Sequence, residues 1–504
     1  MNEILIPDFA RDVAALGPYL VIVCGALLVM LTDAFVKTLK KDNLSYLTLF
    51  VLVLAVVVQI LTNDRQQVLL SGMMVTNQFT AFFNYLFYGI GVMTTIFATG
   101  IYDREGRYRP EFYPLILLTI LGMMMLVACN DLLTLFLGLE TMSLSTYVLA
   151  GGVRGNIRSS EAGFKYLVMG GFSSAFLLMG MALTFGFAGG TGFGEIAAAL
   201  KGPQPDIPLI TAGSALMLIG FSFKVALVPF HMWTPDVYEG APSYITGFMA
   251  TAIKAAGFGV LLRYAMLMGH ELGANWFGLL SVLAVLTMSM GNLVALVQTN
   301  IKRMLAWSSI AHAGYLMLGV LTYLSPDSGD SMMAMRTNEL QSIAGPAILF
   351  YLVGYSLMNL AAFGIVGVLG RQLGEEGDQI SRYAGLGRKR PLAAITLTIA
   401  LFSLAGIPPM VGFMAKFYLF QALVQAGLIP LAIWGVINSL VSVFYYLRVT
   451  VKMYMSEPEE GTYEGTEWVS VATASVLALL IIFLGVMPQG FHLKAEIVFR
   501  NLMF

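Results

Sequence analysis

Four ionisable side chains stand in stretches that are otherwise apolar. Glu140 lies in LTLFLGLETMSLSTYVLA, Lys224 in LIGFSFKVALVPF, Lys254 in FMATAIKAAGFGV and Lys416 in PPMVGFMAKFYLF. At the centre of a bilayer each costs about 2.5–3.5 kcal/mol on insertion scales, and such residues face the bundle interior and mark transport pathways. The chemistry they suit is proton transfer. Withdrawal from water disfavours the charged form of an amine, so a buried lysine can take up and release a proton near neutral pH. A unit charge about 4 Å away contributes about 4 kcal/mol at an effective dielectric near 20. Opening or closing a Glu140–Lys224 pair is therefore expected to decide whether Lys254 holds its proton. The structural alternative is a buried salt bridge that fixes packing. It describes Glu140 and Lys224 in part, but Lys254 and Lys416 have no evident spare carboxylate in the sequence. His312 and Tyr315, in WSSIAHAGYLML, with Asn359 and Ser439, extend the polar set. Imidazole titrates near pH 6.5, so His312 is read as a relay between Lys254 and Lys416 rather than a packing histidine. His231, His270 and His492 fall at loops or span ends and show no metal-ligand spacing.

The elements that must position these residues are membrane helices. Of 504 residues, 58% are hydrophobic and 11% charged, against about 25% charged in a soluble domain. The mean hydropathy is +0.79. A net charge of -1 offers no basic field for nucleic acid. A crossing needs roughly 20 apolar residues, and fourteen spans are predicted: Pro18–Phe35, Leu44–Leu61, Phe79–Ile101, Phe112–Ala128, Leu132–Ala150, Tyr166–Ala188, Ile207–Val228, Tyr244–Met266, Trp276–Val297, Met304–Leu324, Ile343–Leu369, Leu392–Leu423, Ile429–Leu447 and Val469–Val486. The seventh and twelfth are expected to be broken. Pro229 follows Lys224 by five residues, and Pro408-Pro409 precedes Lys416 by seven. Proline removes a helical hydrogen bond, and the carbonyls it frees in a membrane need protein or a wet cavity. Paired broken helices beside buried charges point to internal repeats and a midplane path.

The basic residues set the topology. With the N-terminus outside, Lys37, Lys40, Lys41, Arg104, Arg107, Arg109, Arg154, Arg158, Lys165, Lys302, Arg303, Arg371, Arg382, Arg388, Lys389, Arg390, Arg448 and Lys452 lie inside. Only Arg11, Arg65, Lys201, Arg263, Arg336, Lys494 and Arg500 lie outside. Both termini are then outside, which in a bacterium is the periplasm. The opening MNEILIPDFARD lacks the cationic head of a cleavable signal peptide, so the first span is expected to remain. Cys24 and Cys129, the only cysteines, read as packed apolar thiols. The Gly189–Gly194 run follows a span rather than a strand and lacks phosphate-loop spacing; it reads as a flexible loop. No soluble domain fits between the spans.

The stretch PFHMWTPDVYEGAPSYITGFMATAIKAAGFG, from Pro229 to Gly259, resembles the antiporter-like subunits of respiratory complex I and the related Mrp sodium/proton antiporters. FLGLETMSLSTYVLAG, WSSIAHAGY and SLAGIPPMVGFMAKF match in the same order, and the resemblance covers the whole chain. WTPDVYEGAP resembles the N-type branch, where sibling branches more often read W-L-P-D-A. Lys416 fits the N and L pattern, and the chain ends soon after span fourteen, without the L-type lateral helix. The first three spans are present, unlike in the shortened animal form. The resemblance implies an all-α membrane fold: an N-terminal three-helix segment (1–111), two inverted five-helix repeats (112–267 and 268–455) and a C-terminal helix (456–504). It assigns Glu140 and Lys224 to the charged pair of helices five and seven. Lys254 becomes the central lysine of helix eight, His312 a polar link, and Lys416 the lysine of broken helix twelve near the exit. It implies proton translocation driven by NADH-to-quinone electron transfer. The chain carries no nucleotide motif and no cysteine set for a cluster, so flavin, iron–sulfur clusters and quinone are expected in partner subunits. Its neighbours would be other antiporter-like subunits, small membrane subunits and lipid. An Mrp-type antiporter subunit and the equivalent subunit of a related redox-driven pump are the alternatives. The charge pattern fits the Mrp type too, TPDVYEGAP favours complex I over it, and the buried lysines argue against a transport-free scaffold.

Overall fold

The structure is a computed structural model that describes residues 9–36, 42–62, 66–99, 111–202, 207–324, 331–373, 377–458 and 467–500. For 9–11, 42, 269–275, 331–342, 371–373 and 500 it describes the backbone alone. The chain is an all-α membrane protein. Helices satisfy every backbone group within one segment, as a crossing without water demands. Among the described residues, twelve helices are long and apolar enough to cross. The fourth span, Phe112–Ala128, is shorter at 17 residues. The twelfth is split into Pro391–Ala405 and Val411–Gln425. Each of the fourteen predicted spans thus has a helical counterpart.

The ends differ from the sequence expectation in instructive ways. The sixth span begins nine residues early, as Ile157–Ala188, because Asn156 caps it through Ser159 N. Lys165 consequently sits on that helix. The seventh stops at Val225, three residues short, where Ala226 adopts a φ of 62°. The eighth runs Ser243–Met268, and Arg263, counted with the outer basic residues, lies inside it as it does inside the predicted Tyr244–Met266. Arg263 is 1% exposed and donates to the Val127 carbonyl at 2.7 Å. The guanidinium thereby serves one of the orphan carbonyls at the end of the fourth span. Cys24 is exposed rather than packed, while Cys129 is buried. The Gly189–Gly194 run is a defined turn. Gly189, at φ 71°, ends the sixth span, and Gly192 opens the short helix Phe193–Leu200, receiving Glu195 on its N–H. The basic loops with Lys37, Lys40, Lys41, Arg104, Arg107 and Arg109, like Arg65, lie outside the described residues, and so does Ile101.

Two loop junctions use the same device. Asp131 caps the fifth span through Leu133 N at 2.7 Å, and its backbone bridges to Gly192. Asn300 caps the tenth through Lys302 N and Arg303 N, and its backbone bridges to Gln379. The fifth span starts on the face carrying the short hairpin Gln67–Leu69/Met74–Thr76. The tenth starts on the opposite face, where Arg303 meets acidic groups described below; we call this the basic face.

Packing separates a buried centre from an exposed apolar rim. The eighth and tenth spans are buried along their whole apolar windows, whereas the first, sixth and thirteenth bury only 33%. Glycines set the closest approaches. A Cβ on Gly122 would meet Met142 N at 2.3 Å, and one on Gly138 would meet Leu126 N at 2.6 Å. The ninth and tenth spans repeat this with Gly291 against Ala311 N (2.6 Å) and Gly314 against Met288 N (2.8 Å). Overpacking typically costs about 1–3 kcal/mol, and here the obstacle is backbone that cannot swing aside. Gly138→Val is therefore expected to reduce the yield of assembled protein sharply, measured on native gels. Gly171→Val, whose Cβ direction is open, should leave it unchanged.

Candidate functional site

The seventh span ends one residue beyond Lys224, and its freed groups are met by protein. Leu227 N donates to Ser222 O at 2.9 Å, and Val228 N donates to Thr287 Oγ1 at 2.9 Å. Lys224 is 3% exposed. Its ammonium donates to Ser143 Oγ at 2.7 Å and Tyr147 Oη at 3.3 Å. It also lies 5.4 Å from the Tyr147 ring centroid, 5.6 Å from Phe223 and 5.9 Å from Tyr166. Glu140 is not its ion-pair partner. The carboxylate, half-buried, accepts instead from Ser174 Oγ on the sixth span. The expected pair is an electrostatic neighbourhood: Ser143 sits one turn along the fifth span from Glu140 and stands between the two charges.

Lys254 follows a π-helical turn, Met249–Ile253. Such a turn widens a helix locally and recurs at functional sites. The ammonium is 2% exposed and donates to both the carbonyl and the hydroxyl of Ser309, the latter at 2.6 Å. Tyr355 donates to the same hydroxyl at 2.7 Å, and its ring centroid is 5.6 Å from Lys254 Nζ.

His312 stands one turn further along the tenth span. Its Nδ1 meets Tyr351 Oη at 2.7 Å and its Nε2 meets Tyr446 Oη at 3.4 Å; Tyr446 also bonds Ser308. The His312 ring lies 5.0 Å from Tyr355 and 5.7 Å from Tyr315, centroid to centroid.

In the twelfth span the first half ends at Ala405, where Gly406 takes a φ of 88°. Lys416 donates to the carbonyls of Leu404 (3.1 Å) and Ala405 (3.0 Å) and to Ser439 Oγ (2.9 Å). Those carbonyls are orphans of a broken helix, and a cation there also complements the helix dipole. Nζ lies 5.2 Å from the Tyr315 ring centroid. Asn292 holds the Tyr315 hydroxyl at 3.2 Å and also bonds Asn438, while Tyr445 donates to Asn292 Oδ1 at 3.0 Å.

All described hydrogen bonds of the three ammonium groups therefore go to hydroxyls and carbonyls. Lys254, Ser309 and Tyr355 are hydrogen-bonded in series, as are Tyr351, His312 and Tyr446. Ring contacts bridge Tyr355 to His312 and His312 to Tyr315, whose ring faces Lys416. Four of the five sequence-selected residues (Lys224, Lys254, His312 and Lys416) line the protein interior, and Glu140 stands at its edge. Of the further polar residues, Ser439 accepts from Lys416, whereas Asn359 bonds its own helix, donating to Tyr355 O at 3.0 Å. Ser309, Tyr351, Tyr355, Tyr446, Ser143 and Tyr147 escaped the sequence reading. Two signals pointed to them: the Ser308-Ser309 doublet one turn before His312, and the Tyr351, Tyr355, Asn359 stripe at helical spacing. Tyr446 had no such signal.

The family model described as NADH:quinone oxidoreductase/Mrp antiporter, TM, matches residues 129–442, which contain Glu140, Lys224, Lys254, His312 and Lys416. NADH-quinone oxidoreductase subunit N of Trichlorobacter lovleyi is 44% identical over 464 residues, covering 92% of this chain and 90% of that protein. A chain of respiratory complex I from Thermus thermophilus with bound Aureothin superposes with a TM-score of 0.77 at 30% identity, covering 94% of this chain and 97% of that one. A chain of the Mrp complex from Dietzia sp. DQ12-45-1b shares the fold, with a TM-score of 0.81 at 21% identity, 98% of this chain and 97% of that one. The chain belongs to the NADH:quinone oxidoreductase/Mrp antiporter family of transmembrane proteins.

Proposed function

We propose that this chain is the N-type subunit of a NADH:quinone oxidoreductase and moves protons across a bacterial inner membrane, with both termini periplasmic. The observation that carries the reading is the set of three buried lysines caged by hydroxyls, carbonyls and ring faces. A carboxylate at about 4 Å would add about 4 kcal/mol to proton retention. Neutral acceptors satisfy the ammonium without adding that charge, so the proton remains transferable. Glu140, Lys224, Lys254, His312 and Lys416 are the proposed carriers and modulators. Lys254, Ser309, Tyr355 and His312 lead toward Lys416 and the broken twelfth span, the proposed exit. Two inverted repeats, 112–267 and 268–455, are supported by the matched caps at Asp131 and Asn300, the matched glycine contacts and the two lysine-bearing breaks. The segments 1–111 and 456–504 flank them.

Moving one charge against 100 mV costs about 2.3 kcal/mol, so the energy must come from elsewhere. Electron transfer from NADH to quinone in partner subunits, through flavin and iron–sulfur clusters, would supply it. The likeness to subunit N over nearly the whole chain favours this reading over an Mrp-type antiporter. Neighbouring antiporter-like and small membrane subunits are the proposed partners, with lipid around the rim.

Lys254→Met in the assembled complex, reconstituted in proteoliposomes, is expected to abolish proton uptake or cut it to near background. Wild-type pumping by a normally assembled variant would overturn the relay. Ser309→Ala removes a hydrogen bond to a charged group, worth about 1.5–3 kcal/mol, or roughly ten- to a hundredfold in a populated state. It should lower the protons moved per NADH. Ser309→Thr, which keeps the hydroxyl, should retain most of them.

A further inference from the structure

Between the Lys224 and Lys254 cages lies the short helix Trp233–Gly240. At its start, Trp233 stacks on Tyr166 with centroids 4.5 Å apart and planes at 6°, and donates Nε1 to Phe223 O at 3.0 Å. Tyr166 and Phe223 are two of the rings around Lys224. Along its length the helix packs against the tenth span, Ile301–Leu321, which carries Ser309, with buried Tyr238 near its end. The Tyr238 carbonyl accepts from Thr246 Oγ1 at 3.0 Å, tying the helix to the eighth span. The Trp233 and Tyr238 rings touch edge to face at 6.1 Å. One helix of eight residues therefore joins the rings around Lys224 to the span that carries the Lys254 acceptor.

The opposite side of this helix is held by charges on the basic face. Asp236 accepts from Lys165 at 2.6 Å and Arg303 at 2.8 Å, and Glu239 accepts from Arg303 at 2.7 Å. Asn300 adds a bond to Glu239 at 3.2 Å, and Lys302 donates to the Ala241 carbonyl at 2.8 Å. Gly240 lets the helix press against the start of the sixth span, where a Cβ would meet Arg158 O at 2.4 Å. Beside the ion pairs is an open cavity of about 240 Å³. The helix thus has a charged fastening on one side and room beside it.

We propose that Trp233 and Tyr238 are positioning residues for proton transfer: the helix they share links the Lys224 and Lys254 sites, and the Lys165–Asp236–Arg303–Glu239 cluster is the latch that sets its position. The proposal rests on the pumping reading above. Movement at one lysine cage is passed to the other through packed rings and one backbone segment. Burial raises the Asp236 carboxyl, but hydrogen bonds and charge from Lys165 and Arg303 outweigh it and hold the group below its usual value. Asp236 therefore stays ionised through the neutral range, as a latch requires and a proton carrier does not.

The test compares Arg303→Gln with Arg303→Lys in the whole complex in proteoliposomes, recording NADH oxidation and proton uptake together. A networked ion pair of this exposure shifts a two-state balance by about fivefold, so Arg303→Gln is expected to lower the protons moved per NADH by about that factor. Arg303→Lys should largely restore the ratio. An assembled Arg303→Gln complex with the wild-type ratio overturns the latch. For the linkage, Tyr166→Leu on the Lys224 side is combined with Tyr238→Phe on the Lys254 side. Coupled sites give non-additive effects, so the double variant should be no worse than the more severe single one. Effects that multiply overturn the shared helix. If Lys254→Met pumps normally, the pumping reading itself fails; if it does not pump and Arg303→Gln does, only the coupling helix fails.

Discussion

An ammonium group out of reach of water must have its charge and its N–H donors met by protein, and the rest of this structure answers to that constraint. Burying an unpaired charge is among the costliest things a fold can do. Here three such groups are accommodated by hydroxyls, carbonyls and aromatic faces. The choice of acceptor decides what the site can do. A carboxylate satisfies an ammonium and also holds its proton. A serine hydroxyl or a helix-end carbonyl satisfies it and leaves the proton exchangeable. On the proposed reading, the absence of described carboxylates from the lysine cages is what makes transfer possible.

The breaks in the seventh and twelfth spans follow from the same need. An unbroken helix engages its carbonyls internally and offers at most a second lone pair, as Ser309 does to Lys254. Ending a helix at Ala405 exposes the Leu404 and Ala405 carbonyls, and Lys416 takes both. At Lys224 the break has a different use. The chain turns at Ala226 and returns as the short helix Trp233–Gly240, whose rings abut the lysine's aromatic surroundings. In both places the local cost of ending a helix inside the bilayer is offset by contacts that a straight helix could not make.

Burial is distributed accordingly. The eighth and tenth spans, which carry Lys254, Ser309 and His312, are enclosed on every side. The rim spans expose Leu, Val and Phe to lipid. Glu140 sits between these zones, half-buried and bonded to Ser174. It is thus placed to act on Lys224 by charge through space rather than by contact.

Much of this was legible in the linear chain. Fourteen spans, the two interruptions and the interior residues Lys224, Lys254, His312 and Lys416 follow from hydropathy, proline and the expense of intramembrane charge, all local properties. Helix ends were read less well. Val225 and Ile157 became termini through the left-handed turn at Ala226 and the Asn156 cap, which hydropathy does not register. The partners were beyond the sequence altogether. Ser309 meets Lys254 across 55 residues, Tyr446 meets His312 across 134, and Glu140 turns to Ser174 rather than Lys224. Arg263 meets the Val127 carbonyl across 136 residues. The sequence by itself determined which segments enter the membrane and which charges go with them, because transfer from water is a property of each residue. Which acceptor each charge meets was decided only by the tertiary structure, because a hydrogen bond depends on how helices far apart in the chain are rotated and set against one another.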